Sequence, residues 1–438
     1  MSTTVNFFWF RRDLRINDNA GLYRALRSGH PVQCLFIFDK EILDKLEDRD
    51  DKRVSFIHTE ILRLHEELRK HGASLIVRYG NPLEIWKDLV NEFKINGVYA
   101  NRDYEPYARK RDKEVFEFLK DKQIVFKGFK DQVIFDKNEV VKDDGEPYQV
   151  YSPYMRKWKE RMNDHFSRSY PVEKYLDHLF PYSNPDIPSL DEMGFKKVDP
   201  GVPQRTIPKE IIKSYDRTRN FPANEEGTTH LSVHLRFGTI SIRELTRVAL
   251  DLNQKFLNEL IWRDFYQMVL YHFPESGEKA IKPKYDRIEW VNDEEAFQRW
   301  CDGKTGYPLV DAGMRELNET GYMHNRVRMV VASFLTKHLL TDWRWGEAYF
   351  AKKLLDYDMA SNVGGWQWAA GSGMDAAPYF RIFNPESQLE KFDPKGAYVK
   401  KWVPEWKTSD YPKPVVEHKK ARERALEIYK KAVSGGDQ

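Results

Sequence analysis

Short apolar runs separated by helix-patterned stretches fill the first hundred residues, and they restrict the start of the chain to an α/β arrangement. Residues 5–10, 32–38, 74–78 and 97–100 are too short for buried helices and too continuously apolar for strands with one wet face. They read as strands covered on both sides. Between them, Val54, Ile57, Ile61, Leu64 and Leu68 recur at three- and four-residue steps and end at Gly72. That is an amphipathic helix with a glycine C-cap, and Pro82 and Pro106 open two more. Strand, helix, strand in alternation means a parallel sheet with helices on both faces, Rossmann-like in outline.

The dinucleotide fingerprint is missing from this sheet. A G-x-G-x-x-A string does occur at Gly371-Ser-Gly373-Met-Asp-Ala376, but it follows a Trp-rich helical pattern with no strand before it, so it is a chance match. No H-E-x-x-H, P-loop or G-x-S-x-G is present. These absences disfavour an NAD-binding Rossmann enzyme, a metalloprotease, a P-loop nucleotidase and an α/β-hydrolase.

The chain has 438 residues, room for roughly two or three domains. From about 136 to 222 the periodicity loosens, with seven prolines between Pro171 and Pro208, and the stretch reads as a connector. From about 228 to 430 the pattern is helical, for example over 258–270 and 326–340, and residues 434–438 read as a frayed end. The expected division is an α/β domain over 1–135, a linker over 136–222 and an all-α domain over 223–438. Lys and Arg total 71 against 68 Asp and Glu, a net charge of +3, so any nucleic-acid site must be a local patch. Cys34 and Cys301 are the only cysteines. They give neither a disulfide framework nor a cysteine zinc site, no metal is expected, and a reducing compartment follows. No apolar run approaches the about 20 residues that span a bilayer and no signal peptide is evident, so the expectation is a soluble cytoplasmic protein.

Nine of the 12 Trp lie at or after Trp262, which fits either ordinary helical core or a site built on aromatic planes. Within the helical half, Glu259, Trp262 and Arg263 stand at i, i+3 and i+4 and share a face. A carboxylate beside an indole can hold the edge and the face of a flat heterocycle; a surface ion pair over a core Trp is the plainer alternative. Asn325, Arg328 and Met329 repeat the spacing, with Arg326 turned away, and again a ligand-facing surface and a solvated arginine pair are both open. Asp356-Tyr-Asp358 precedes Asn362 and Gly364-Gly365, where a backbone can approach a large ligand. Trp366 and Trp368, like Trp343 and Trp345, are two residues apart and cannot share a helix face.

Taken in order, Trp9-Phe-Arg-Arg-Asp-Leu-Arg15, Asn258-Glu-Leu-Ile-Trp-Arg263, Gly303-Lys-Thr-Gly-Tyr-Pro308 with Val310-Asp-Ala, Met323-His-Asn-Arg-Val-Arg-Met329, and Gly364-Gly-Trp-Gln-Trp368 through Tyr379-Phe-Arg-Ile-Phe-Asn-Pro385 resemble the photolyase/cryptochrome family. They resemble most the class I cyclobutane pyrimidine dimer photolyases of bacterial type. The resemblance implies an N-terminal α/β antenna domain, a long linker and a helical domain that binds FAD, active in its reduced form, and UV-damaged DNA, double- or single-stranded. It implies a monomer that uses light to pass one electron to a flipped-out dimer, splits the cyclobutane bonds and recovers the electron. Tyr215, Thr228, Thr229, His230, Leu231 and Ser232 match the segment that holds the cofactor's phosphates and ribityl chain. Arg328 and Asp356 match an ion pair beside the flavin ring, Asp358 a ring contact, and Asn362 the residue opposite flavin N5. Plant cryptochromes carry Asp at that last position, so Asn362 speaks for repair. Trp366, Trp343 and Trp290 match the electron relay from flavin to surface, whose work is photoreduction of the resting cofactor.

The same resemblance places Glu259, Trp262, Asn325, Met329 and Trp368 in the lesion cavity. The tryptophans would pack the dimer's apolar faces, and the polar groups would hold its edges; Met329 separates the chain from (6-4) photolyases, which supply histidines there. Arg219, Arg326, Arg381 and Gln388 match positions that contact DNA phosphates, which carry no sequence information. A second, antenna chromophore is expected but unassigned. Ala108 stands where folate-using relatives have an acid, and Ser276-Gly277 where they have Cys-Lys. Both departures argue against that folate binding mode and leave a deazaflavin, another pigment or an empty cleft. Two rivals remain. One is a non-repairing cryptochrome photoreceptor, disfavoured because the chain ends soon after a basic helix near 419–431; the other is a flavin oxidoreductase, for which no nicotinamide motif is found.

Overall fold

All four strands expected from the apolar runs form in the computed structural model, which describes residues 3–183 and 186–434, and a fifth joins them. β1 (Val5–Phe10), β2 (Val32–Asp39), β3 (Leu75–Gly80), β4 (Ile95–Asn101) and β5 (Val125–Phe129) lie in the order β3-β2-β1-β4-β5. Every pair is parallel, with Phe8 opposite Cys34 on one side and Tyr99 on the other. β1 and β2 are buried along their whole length, as continuous apolar runs require. The sequence Val-Phe-Lys-Gly-Phe of β5 has no such run, and Val125 is 52% exposed. It is an edge strand and, unlike β3 at the other edge, where Leu75, Ile76 and Val77 are buried, it buries no residue fully and so shows no apolar run.

Four helices cover this sheet: α1 (Ala20–Leu26), α2 (Lys52–Arg69), α3 (Pro82–Glu92) and α4 (Pro106–Asp121). Side chains of Asn19, Asp51 and Asn81 accept from the first free N–H groups of α1, α2 and α3. Trp9, Ile37, Ile76, Trp86, Val98 and Leu119 meet in one apolar core.

The chain separates into two units whose bounds differ from the expected ones. The first gathers 1–139, 161–207 and 230–248; the second gathers 140–160, 208–229 and 249–438. The proline-rich stretch is therefore more than a connector. In the first unit Phe180 N–H bonds the Val32 carbonyl at 2.8 Å, and Val172, Met193 and Phe195 are buried. In the second, Tyr151, Tyr154 and Trp158 are buried and the Trp158 indole donates to Asp264 at 2.9 Å. Isolated anchors between prolines bury a stretch without giving it a period. Arg243, from the third piece of the first unit, bonds Asp18 at 2.9 Å and Asp131 at 2.8 Å, while Arg15 bonds Asp131 at 2.7 Å.

In the second unit the elements that matter are α5 (Tyr151–Arg161), α6 (Lys209–Thr218), α7 (Gln254–His272), α8 (Pro308–Thr320), α9 (Asn325–Ser333), α10 (Trp343–Lys353), α11 (Met359–Ala370), α12 (Pro385–Phe392) and α13 (His418–Ser434). This unit is all helix and loop, as the periodicity predicts. The helix expected over 326–340 changes character at 334–338, where a π-turn lets Leu339 N–H reach the Phe334 carbonyl at 3.1 Å. The Gly371–Ala376 string caps α11 and no strand precedes it. The end expected to fray, past Ser434, lies outside the described residues. No helix among the described residues is long and apolar enough to cross a membrane.

Candidate active site

A cavity of about 440 Å³ opens in the second unit, and α7, α9 and α11 supply most of its wall. Each helix presents a stripe at helical spacing. From α7 come Glu259, Trp262, Arg263 and Tyr266; from α9 Asn325, Arg328, Met329 and Ala332; from α11 Ser361, Asn362, Gly365 and Trp366, with Trp368 beyond. Arg219 and the 354–358 turn, with Asp356 and Asp358, complete it. The helix starts are pinned by Asn253, by the His324 ring nitrogen accepting from Arg326 N–H at 3.1 Å, and by Asp358 accepting from Ser361 N–H at 3.0 Å. The two glycines of α11 do different work. A Cβ on Gly364 would fall 2.3 Å from the Tyr266 ring, so this glycine lets α11 close on α7, while a Cβ on Gly365 would meet nothing within 4 Å.

The polar groups are ordered by their partners. Arg328 donates to both oxygens of Asp356 at 3.1 and 2.9 Å and to the Met323 carbonyl at 2.7 Å. Burial alone would lower the pKa of this guanidinium, but Asp356 more than offsets it and holds the cation above its ordinary value. The side-chain nitrogen of the buried Gln267 donates to both carboxylate oxygens of Asp358, at 3.1 and 3.0 Å. Asn362 donates its amide N–H to Glu347, at 2.9 Å to the carboxylate and 3.2 Å to the carbonyl. Glu347 in turn is raised by burial, against the bonds from Asn362 and Tyr357. Glu259 pairs with Arg219, which packs over the Tyr215 ring.

The expected DNA-contacting cations lie together near this wall. Arg326 donates to Asn220 at 2.7 Å and sits 4.3 Å over the Phe392 ring. Its pKa is lowered by burial and by the neighbouring charges of Arg219 and Arg381. Neither Arg326 nor Arg381 has a carboxylate partner among the described residues. Gln388, one turn before Phe392 on α12, keeps a buried side-chain oxygen with no partner there.

The three tryptophans expected to form a relay run from buried to half-buried. Trp366 and Trp343 are 2% and 1% exposed within one apolar core, and half-buried Trp290 packs against it, edge-on to Tyr429 at 6.0 Å. Trp366 also meets Trp300 at 6.1 Å, a neighbour no motif points to. Tyr215, Thr228 and Thr229 belong to this unit but do not line the cavity; Thr228 faces the Tyr322 hydroxyl at 3.4 Å. His230, Leu231 and Ser232 belong to the first unit, with His230 at a left-handed φ of 51°. Sequence reasoning missed Tyr266, Gln267 and Glu347. Tyr266 was within reach, one turn beyond Trp262 on the same face; Glu347 and Gln267 act through contacts far apart in sequence, which no spacing encodes.

Two family models match: that described as DNA photolyase over residues 6–172, and the FAD binding domain of DNA photolyase over 256–408. A Halobacterium salinarum protein named deoxyribodipyrimidine photo-lyase is 37% identical, over 98% of this chain and 99% of its own. The crystal structure of a bacterial class III photolyase from Agrobacterium tumefaciens aligns with a TM-score of 0.85 at 34% identity, covering 99% of this chain and 98% of that one. An archaeal photolyase from Sulfolobus tokodaii, solved with two FAD molecules, aligns at 0.79 and 33%, covering 97% and 99%. Full-length likeness, both halves matched in order and one cavity built from the expected residues lead to a single conclusion: the chain belongs to the DNA photolyase family.

Proposed function

We propose that this chain is a light-driven DNA repair enzyme, a deoxyribodipyrimidine photo-lyase that splits cyclobutane pyrimidine dimers. The observation that carries the reading is that one cavity is lined both by the residues assigned to the flavin ring, Arg328, Asp356, Asp358 and Asn362, and by those assigned to the lesion, Glu259, Trp262, Asn325, Met329 and Trp368. The donor set suits FAD: a half-buried cation held by a carboxylate, an amide, and open space above Gly365 where a Cβ would stand. Bound FAD in its reduced form supplies the light-driven electron for bond scission.

The chain's own residues do the rest. Arg328 and Asp356 fix a charge at the ring's edge. Asn362, its N–H committed to Glu347, offers its carbonyl oxygen as an uncharged acceptor. Trp262 and Trp368 supply flat apolar surface for the dimer, Glu259 and Asn325 hold pyrimidine edges, and Met329 brings no titratable group to a reaction that needs none. Arg219, Arg326, Arg381 and Gln388 take the phosphates of UV-damaged DNA without reading sequence. Trp366, Trp343 and Trp290 carry charge between ring and surface during photoreduction. Tyr215 and the 228–232 segment hold the cofactor's phosphates and ribityl chain, and the place of a second chromophore stays open to a deazaflavin, another pigment or an empty cleft. Within this reading the motif strings favour class I of bacterial type. The Agrobacterium structure favours class III as a second assignment, and the reaction is shared.

Repair of an oligonucleotide bearing one cyclobutane thymine dimer, in light against dark with dithionite-reduced protein and a (6-4) lesion as control, tests the reading. Dimer loss only in light is expected. No repair by protein that holds reduced FAD would overturn it in favour of a cryptochrome photoreceptor.

A further inference from the structure

Trp262 lines the cavity, beside Tyr266 at 5.4 Å and a tilt of 34°, and one side of its indole is already taken. Tyr151, the first residue of α5, lies parallel to it, ring centroids 3.7 Å apart and planes 4° apart. Tyr151 is 7% exposed and does not line the cavity. Its hydroxyl donates to the Asn258 carbonyl at 2.8 Å, one turn before Trp262 on α7. Phe265 closes the indole edge-on at 5.6 Å.

We propose that Tyr151 is a positioning residue for lesion binding: it backs Trp262 so that the indole presents a single, fixed face to a flipped-out pyrimidine dimer. The inference rests on the photolyase reading above. An indole free on a helix surface must lose rotamer freedom when a base stacks on it, and that cost falls on binding. Tyr151 meets the cost in the folded protein, with its hydroxyl bond fixing the tilt of the stack. It also fills the space behind the indole, so a base has only the cavity side to occupy. A base arriving there completes a three-layer stack of phenol, indole and pyrimidine.

The test uses FAD-loaded protein and dark binding of two oligonucleotides, one with a cyclobutane dimer and one undamaged. Tyr151→Leu keeps apolar volume and removes the plane; its dimer affinity should fall about three- to tenfold, the scale of one aromatic pair. FAD content and undamaged-DNA affinity should hold, and Tyr151→Phe should restore most of the loss. Unchanged dimer affinity in Tyr151→Leu overturns the proposal, as does an equal loss for both oligonucleotides. If Tyr151→Leu does not retain FAD, Tyr151→His, planar but a poorer stacking partner, replaces it with the same outcomes. Wild-type protein that does not prefer the damaged strand defeats the photolyase reading instead.

Discussion

The two units treat the cations around their candidate ligand sites in opposite ways. At the carboxyl ends of β1 and β4, where the strand order reverses and α/β proteins place their ligands, the first unit pairs its cations closely. Arg12 meets Asp103 at 3.2 Å and Glu105 at 2.9 Å, Arg11 meets Asp112 at 2.5 Å, and Arg236 meets Glu105 at 3.1 Å. Deeper in, Asp131 is held below its usual range: burial would raise it, but Arg15 and Arg243 outweigh burial. The second unit pairs Arg219 with Glu259 and Arg328 with Asp356 at its cavity, and leaves Arg326 and Arg381 without a carboxylate partner among the described residues. A cation with a carboxylate beside it gains less from a phosphate, so Arg326 and Arg381 should carry more of the phosphate contact than Arg219, which already holds Glu259. Binding capacity thus follows unbalanced charge rather than total charge, and a net charge of +3 conceals it.

Arg328→Ala should show the largest effect. It strands the Asp356 carboxylate, 5% exposed, at a cost of about 3–5 kcal/mol, and it should empty the flavin site. Arg243→Ala in the first unit should destabilise to a similar degree through Asp131 and Asp18, yet leave flavin per folded molecule unchanged. Thermal unfolding with flavin absorbance separates the two, and equal flavin loss in both would break the comparison.

A pH series sharpens it next. Glu316 on α8 is raised by burial from 4.5 to about 6, despite the Tyr398 hydroxyl bond at 2.6 Å. A raised acid contributes stability that is complete below the unfolded value and lost as pH rises through about 6, here about 2 kcal/mol. Asp131 is lowered, so its contribution is present above the unfolded value and lost as pH falls. Urea unfolding should show Glu316→Gln without the loss between pH 4.5 and 6, and Asp131→Asn without the acid-side loss.

Arg326→Ala should weaken binding of damaged and undamaged DNA alike and reduce the slope of log affinity against log salt by about 1. The same change at Arg12 should leave that slope alone. The smallest effect on DNA binding is expected from Trp343→Phe, which should slow photoreduction of oxidised protein and spare repair by dithionite-reduced protein; equal loss in both assays would remove the relay assignment.

What could be read from the sequence followed from period and spacing. β1 and β2 announce themselves because a strand buried along its whole length must be apolar throughout, and β3 and β4 through the buried stretches Leu75–Val77 and Val98–Ala100. β5, half-exposed at the edge, has no such obligation. The stripes on α7 and α9 follow from three- and four-residue steps, and Gly364-Gly365 marks the close approach of α11. Tyr151 behind Trp262, Glu347 behind Asn362 and Trp300 beside Trp366 escaped because each is a contact between distant segments. Tyr151 also lies in a stretch whose prolines mask its packing.

Arg243 and Gly238 belong to the sheet unit although they are made long after its last strand. A Cβ on Gly238 would fall 2.2 Å from the Arg12 carbonyl, so the late segment docks against the loop that follows β1. During synthesis, the sheet must wait more than a hundred residues for the cation that neutralises Asp18 and Asp131. A nascent chain stopped near residue 222 would hold Asp18 without Arg243 and Asp131 with Arg15 alone.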